Sequence, residues 1–178
     1  MPIISKIIEK TIHQQLEEYL SNNHILYKFQ SGFRSKHSTD TCLTYLSNKI
    51  LTGFDNGLLT GLIAIDLQKV FDTIDHSILL RKMKILGFSN NVIKWFTSFL
   101  SKRIFHVNIN NTLSDVGEIN CGVPQGSFLG PMLFLLYVND MAQEVNSELY
   151  LYADDSCLLF QHKDLNIINK YLNAEFKC

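Results

Sequence analysis

The residues of this chain best suited to chemistry are carboxylates placed where strands are expected to end. Asp154 and Asp155 stand side by side within Glu148–Phe160, where Leu149–Tyr152 and Cys157–Phe160 are apolar runs around a polar centre, Ala153 to Ser156. Apolar and aromatic residues flanking an Asp/Ser centre predict a β-hairpin with both carboxylates at its tip. Like charges held that close repel, and a bound divalent cation removes the repulsion; a solvated turn that carries two aspartates is the plainer reading of this stretch by itself. A third carboxylate, Asp66, lies near the end of the apolar run Leu58–Leu67. Such a run predicts a strand buried on both faces, with Asp66 at its mouth. Mg²⁺ takes carboxylate oxygens and keeps positions open for water and substrate phosphates. In-line phosphoryl transfer with two metals about 3.5–4 Å apart needs bridging carboxylates and cationic groups on the leaving phosphates. Asp66 and Asp154 suit the first task. Arg34 and Lys36, which share a polar Gly/Ser loop with His37 ahead of an expected helix, suit the second; a solvated loop accounts for them equally well.

The elements that must position these groups follow from periodicity and punctuation. Ile3, Ile4, Ile7, Ile8, Ile12, Leu16, Tyr19 and Leu20 recur at a helical period and predict a helix starting near Pro2 or Ser5. Ser38 or Thr39 caps a helix that runs to about Leu51. A helix over about Asp75–Leu86 has Asp72 or Asp75 as its cap and Gly87 as its stop, so these two aspartates read as caps rather than catalysts. Ser89 caps the next helix, whose apolar face is Val92, Trp95 or Phe96, Phe99 and Leu100. Arg103–Ile109 and Leu113–Ile119 predict a hairpin about Asn110 and Asn111. A loop dense in Gly and Pro follows over 121–131, with Gln125 and Gly126 at its tightest point, where a missing side chain admits another group to the backbone. Pro131 then opens an apolar helix through Met132–Met141. A last amphipathic helix over Asp164–Phe176 is expected to seat Leu165, Ile168, Tyr171, Leu172 and Phe176 under a sheet.

Composition narrows the class. With 46% hydrophobic and 19% charged residues in 178, the chain reads as one ordinary globular domain rather than a disordered one. A formal net charge of −1 lacks the basic excess usual in nucleic-acid binders. Such a partner needs a local basic patch or further parts of a longer protein. Cys42, Cys121, Cys157 and Cys178 form no CxxC pair or metal spacing, which suits free thiols in a reducing compartment. The apolar run Met132–Val138 is too short to span a bilayer, so no membrane partner is expected.

At these same residues the chain resembles a known family. Tyr152, Ala153, Asp154 and Asp155 are similar to the polymerase signature of reverse transcriptases, and Ala64 through His76, which contains Asp66, resembles their first catalytic motif. Gly122 through Asp140 resembles the intervening motif, Gln30 to Arg34 with His37, Ser38 and Thr39 the fingers motif, and Pro2 to Lys10 the segment before it. The motifs occur in the family's order from Pro2 to Phe160, and the likeness is to the non-LTR (LINE-type, jockey-like) retrotransposon class. It implies an α+β, right-hand polymerase with fingers over about 1–57 and mainly palm over 58–178, an antiparallel palm sheet with packed helices. The implied activity is RNA-directed DNA polymerase, with an RNA template, a DNA primer and deoxynucleoside triphosphates as partners. Asp66 and Asp154 would ligate two Mg²⁺ ions, with Mn²⁺ a possible substitute and Asp155 beside them. Phe71 falls where the family places its steric gate against a ribose 2′-OH. Gln125 and Gly126 would line the nucleotide and template pocket, Arg34 and Lys36 would meet the triphosphate, and Tyr152 belongs to the signature itself. Intracellular, nuclear action is implied as well. Val70 and Phe128 depart from the usual Ala and Val. The later palm motif, the thumb and any endonuclease region are expected in other parts of a longer polyprotein, which makes a truncated, inactive remnant the alternative expectation. A two-metal nuclease is disfavoured because it gives residues 122–131 no role.

Overall fold

A computed structural model describes residues 3–175. Expectations placed on Pro2, Phe176 and Cys178 therefore lie outside the described residues. In chain order the elements are α1 (Ile3–Asn22), α2 (Thr39–Asp55), β1 (Leu59–Asp66), α3 (Val70–Thr73), α4 (His76–Ile85), α5 (Asn90–Leu100), β2 (Arg103–Phe105), β3 (Asn108–Ile109), β4 (Thr112–Leu113), β5 (Gly117–Ile119), α6 (Gly130–Val138), β6 (Glu148–Tyr152), β7 (Asp155–His162) and α7 (Leu165–Glu175), with a 3₁₀ turn at Met141–Gln143. None of the described helices is long and apolar enough to cross a membrane. Contacts group the chain into two units, one from Met1–Ile25 and Lys69–Tyr137, the other from Leu26–Gln68 and Val138–Cys178. This partition by contact differs from the division at 57 that the resemblance implies.

The Leu26–Gln68 and Val138–Cys178 unit is built on an antiparallel sheet of order β1-β7-β6. One face carries Leu149, Leu151 and Leu158, with Ile63, Ile65, Met141, Ala142 and Val145 packed against them. Helix α7 lies on this side: Ile168 and Leu172 are buried, and Tyr171 stacks on Phe160 with ring centroids 3.9 Å apart. Gly61 makes the approach possible, since a Cβ there would lie 2.3 Å from Ile168 Cγ2. Helix α2 packs on β1 and β6, tied by a Lys49–Glu148 ion pair and by Gln161 Nε2 donating to the Lys49 carbonyl (3.1 Å). Ser38 caps α2 in a reciprocal box with Thr41, and the helix runs four residues past Leu51. Two expectations fail here. Strand β1 is not buried on both faces: among the described residues it pairs only with β7, and Leu59 and Leu62 are each 46% exposed. An apolar run does not say how many neighbours will cover it. Leu165 is exposed as well, because the buried stripe of α7 is set by Ile168 and Leu172.

The other unit packs α1, α4, α5 and α6 around Leu16, Leu20, Leu79, Met83, Phe96, Leu100 and the residues of α6 from Met132 to Leu136. Helix α6 is apolar on all sides, and such a helix belongs inside a core; it ends at Val138, short of the expected Met141. Ile3, Ile4, Ile7 and Ile8 face outward, against the amphipathic reading of α1. The expected hairpin forms in two pieces, β2 with β5 and β3 with β4, and Asn110 and Asn111 both take the positive φ that a tight turn of this hand demands. Ser89 caps α5. Asp75 is the cap of α4, accepting from Ser77 Oγ (2.5 Å) and from the Ile78 amide (3.0 Å). Asp72 is not a cap.

The hydrogen bonds from Ser77 and then Ile78 hold the Asp75 carboxyl below its ordinary value. A depressed folded-state value means that this cap stabilises the fold above the ordinary carboxylate range and loses that effect as pH falls through the lowered value. Asn caps a helix as well as Asp but does not titrate. Urea midpoints for Asp75→Asn should therefore fall less steeply with acid than those of the parent chain; parallel slopes would count against the assignment.

Candidate active site

Antiparallel pairing sets Asp66 opposite Asp155, and Asp155 opposite Tyr152. Partners across an antiparallel ladder have Cα atoms about 4.5–5.5 Å apart, and their side chains leave the same face. The three residues thus form one row across the sheet, at the end where β1 stops. Asp154 and Ala153 are the two-residue turn that joins Tyr152 to Asp155. Asp66 and Asp155 are exposed and Asp154 is partly buried, while the next residue, Ser156, points to the buried face. Ala153 has φ 56°, a left-handed conformation uncommon for a residue with a side chain. The sequence separation of Asp66 from the turn is closed entirely by strand register.

A third segment braces the turn. Gln30 bridges Leu151 in parallel fashion: the Ser31 amide donates to the Leu151 carbonyl (2.8 Å), and the Leu151 amide to the Phe29 carbonyl (3.0 Å). Gln30 Oε1 accepts from the amides of Gly32 (2.8 Å) and Ala153 (3.3 Å). A Cβ on Gly32 would stand 2.0 Å from the Ala153 nitrogen, so only glycine fits beneath the turn. Arg34 Nη1 donates to the carbonyls of Tyr27 and Gln30, both at 2.9 Å, and burial lowers its guanidinium below the ordinary value. Part of Arg34 therefore serves the loop. Lys36 is exposed with φ 62°.

Burial, reinforced by Cys42, pushes the Cys157 thiol up to about 11, so it stays protonated and unreactive near neutral pH. Burial and the hydrogen bond to Glu148 Oε2 (2.9 Å) push the Tyr150 hydroxyl up too. Three carboxylates are a hard oxygen donor set. Among the described residues no group of three or more His, Cys, Asp or Glu is gathered as a ready cage for a metal ion. Carboxylate oxygens of this kind are donors for a hard divalent cation, which can bind through one or two carboxylates and complete its shell with water and phosphate oxygens. The donor set fits the ion.

In the other unit, residues 122–125 are laced to α3 and its flanks. The Gly122 amide donates to the Ile74 carbonyl (2.7 Å) and the Val123 amide to the Phe71 carbonyl (2.8 Å). Gly122 O accepts from His76 Nε2 (2.7 Å) and Arg103 Nη1 (3.1 Å). Gln125 Nε2 donates to Asp72 Oδ1 (3.1 Å), and the Phe71 ring packs on Phe134, centroids 5.3 Å apart. A cleft of about 420 Å³ is lined by Asp72, Arg103, Glu118, Asn120, Gly122 and Gln125 among others. Backbone meets backbone at Gly122, where a Cβ would lie 2.8 Å from Asp72 Cα and from the carbonyl oxygens of Phe71 and Asp72. Gly126 faces open space, and glycine is needed there for its φ of 76° alone.

Sequence reasoning missed Glu9. This residue is only 3% exposed, and its Oε2 accepts from Ser127 Oγ (2.6 Å) and the Phe128 amide (3.0 Å); Ser127 Oγ in turn accepts from the Leu129 amide (3.0 Å). The available signal was an acidic residue on the stripe of α1 that Leu16 and Leu20 continue toward the core.

The reverse transcriptase (RNA-dependent DNA polymerase) family matches residues 1–176, spanning both units and all the motifs above. The chain belongs to the reverse transcriptase family. It is 34% identical to the RNA-directed DNA polymerase from mobile element jockey of Drosophila melanogaster, over 98% of this chain and 20% of that protein. It is also 34% identical to a probable RNA-directed DNA polymerase from transposon BS of the same fly, over 92% of this chain and 19% of the relative. Its relatives are thus polymerases of non-LTR mobile elements, and the chain spans about a fifth of their length. Telomerase structures from Candida albicans and Candida tropicalis share the fold, with TM-scores of 0.63 and 0.65 at 18% and 15% identity, covering 91% and 99% of this chain and 32% and 31% of theirs. Asp66, Asp154, Asp155 and the loop at 122–131 all lie within the matched span.

Replacing Glu9 by Leu leaves the Ser127 hydroxyl and the Phe128 amide without their acceptor, at a cost of about 1–3 kcal/mol. Glu9→Gln keeps an acceptor and should cost less than half as much in urea unfolding. Equal losses for both variants would mean that shape, not the hydrogen bonds, matters at this position.

Proposed function

We propose that this chain is the RNA-directed DNA polymerase domain of a non-LTR mobile element, transferring deoxynucleotides to a primer 3′-OH on an RNA template. The observation that carries the reading is the register of Asp66 against Asp155, with Asp154 in the adjoining turn. Asp66 and Asp154 would ligate two Mg²⁺ ions, or Mn²⁺ in their place, with Asp155 beside them. When bound, such ions polarise the attacking and leaving oxygens of an in-line displacement. The exposure of Asp66 and Asp155 leaves both open to solvent and substrate. Arg34 has five N–H donors, of which the pair on Nη1 serves the loop; the other three are assigned to the triphosphate, with Lys36 as a second cation. Tyr152 extends the carboxylate row as part of the nucleotide site.

The roles of the other unit rest on its own geometry. Phe71, held on α3 by its carbonyl bond to Val123 and by the Phe134 ring, is assigned as the gate that rejects a 2′-OH. Gln125 and Gly126 are assigned to the nucleotide and template pocket. Fingers over 1–57 and palm over 58–178 complete the reading. A second reading, a chain that folds but does not polymerise, is favoured by two features: among the described residues the outer edge of β1 has no partner strand, and Leu59 and Leu62 on that strand are exposed. The net charge of −1 also offers little attraction to a phosphate backbone.

The test is primer extension by the 178-residue chain on an RNA template with deoxynucleotides and Mg²⁺. Slow extension is expected, reduced at least about 10²-fold by Asp154→Asn or Asp66→Asn, each of which weakens the hold on the cations that would stabilise the transition state's negative charge. Extension indifferent to both variants would sink the assignment. No extension by a chain that still binds Mn²⁺ would select the second reading. Phe71→Ala should raise ribonucleotide incorporation relative to deoxyribonucleotide; unchanged sugar discrimination would refute the gate.

A further inference from the structure

We infer that Gln30 is a positioning residue for the aspartate turn: its side-chain oxygen, together with the bare backbone of Gly32, holds Ala153 in the conformation that sets Asp154 beside the Asp66–Asp155 pair. The inference rests on the reading of those carboxylates as a divalent-cation site and assigns what keeps that site in shape.

Several independent observations converge on it. Ala153 has φ 56°, which a residue with a Cβ keeps only where its surroundings hold it. The amide of that residue donates to Gln30 Oε1, which also accepts from Gly32 and so lies between the loop and the turn. Gln30 is only 3% exposed, and its Nε2 is buried without a partner. Burying half of an amide unsatisfied is unfavourable, so simple space-filling, which an apolar side chain does better, is a poor account of this residue. Gly32 meets the Ala153 backbone so closely that any added carbon would have to displace the turn. The clamp is also in register with the sheet, because backbone bonds on both sides of Gln30 join Leu151, two residues before Ala153. Arg34, through the Gln30 carbonyl, fixes the clamp from behind.

The experiment uses the whole 178-residue chain and Mn²⁺ alone as the probe, its binding followed by electron paramagnetic resonance and folding by circular dichroism and urea unfolding. Gln30→Leu and Gly32→Ala should each weaken Mn²⁺ binding about tenfold, the size of effect typical for groups that orient metal ligands, while the chain stays folded. Adding Ala153→Gly to Gln30→Leu should recover most of the loss, since glycine takes a positive φ without a clamp; a purely structural role for Gln30 gives no such recovery. Mn²⁺ affinity unchanged in folded Gln30→Leu and Gly32→Ala would overturn the inference. Amide hydrogen exchange in the parent chain needs no variant: an Ala153 amide that exchanges at the rate of an unprotected one also overturns it. Asp154→Asn separates the two questions. If that variant binds Mn²⁺ as the parent does, the cation-site reading falls, whereas loss of Ala153 protection in Gln30→Leu still reports on the clamp.

Discussion

The register of β1 on β7 is the constraint from which the candidate site follows. Side chains alternate between faces along a strand, so a slip of one residue would turn Asp66 into the apolar layer and bring Ile65 out in its place. The buried layer prevents the slip. Ile63, Ile65, Leu149, Leu151 and Leu158 share a face and pack with Met141, Ala142 and Val145, and Gly61 has room for no side chain beneath Ile168 and Leu172. Hydrophobic packing on one face thus determines where charge stands on the other. The stability of the sheet and the placement of the carboxylates are one problem with one solution.

Within that frame the hairpin turn is the costly part, and the loop at 29–34 bears on it. The turn joins its strands through only Ala153 and Asp154, and Ala153 accepts a conformation that glycine would take without strain. Gln30, Gly32 and Arg34 meet this demand with a side-chain acceptor, a missing side chain and a guanidinium that ties carbonyls together. Residues that the resemblance ties to substrate, Arg34 foremost, also serve the architecture of the loop. A guanidinium has donors enough for both.

The other unit handles its Gly-rich loop by a comparable device in different chemistry. Gly122 lets the loop lie against the backbone of Phe71 and Asp72, and the Gly122 carbonyl gathers His76 and Arg103. Glu9, a buried carboxylate, receives Ser127 and Phe128 just before α6 begins. Four isoleucines of α1 are exposed while Glu9, one of its three glutamates, is buried, an inversion of the usual preference that hydrogen bonding offsets.

Much of this was legible in the residues themselves. Local rules act over a few positions, so the cap at Ser89, the caps at Ser38 and Asp75 to within a choice of two residues each, the turn at Asn110 and Asn111, the hairpin around Asp154 and the apolar α6 were all readable in the sequence. The motif order identified the family, and the three carboxylates could be named before any fold was known. What the sequence could not decide was coverage and approach. Whether Leu59 and Leu62 are buried depends on how many strands flank β1; whether Gly122 or Gly126 is the crowded glycine depends on which backbone lies opposite. Glu9 turned inward because its partners come from a distant part of the chain, and Gln30 came to lie against Ala153 for the same reason. Such contacts join residues more than a hundred positions apart. Periodicity and propensity carry no information over that range, and only tertiary packing sets which groups meet.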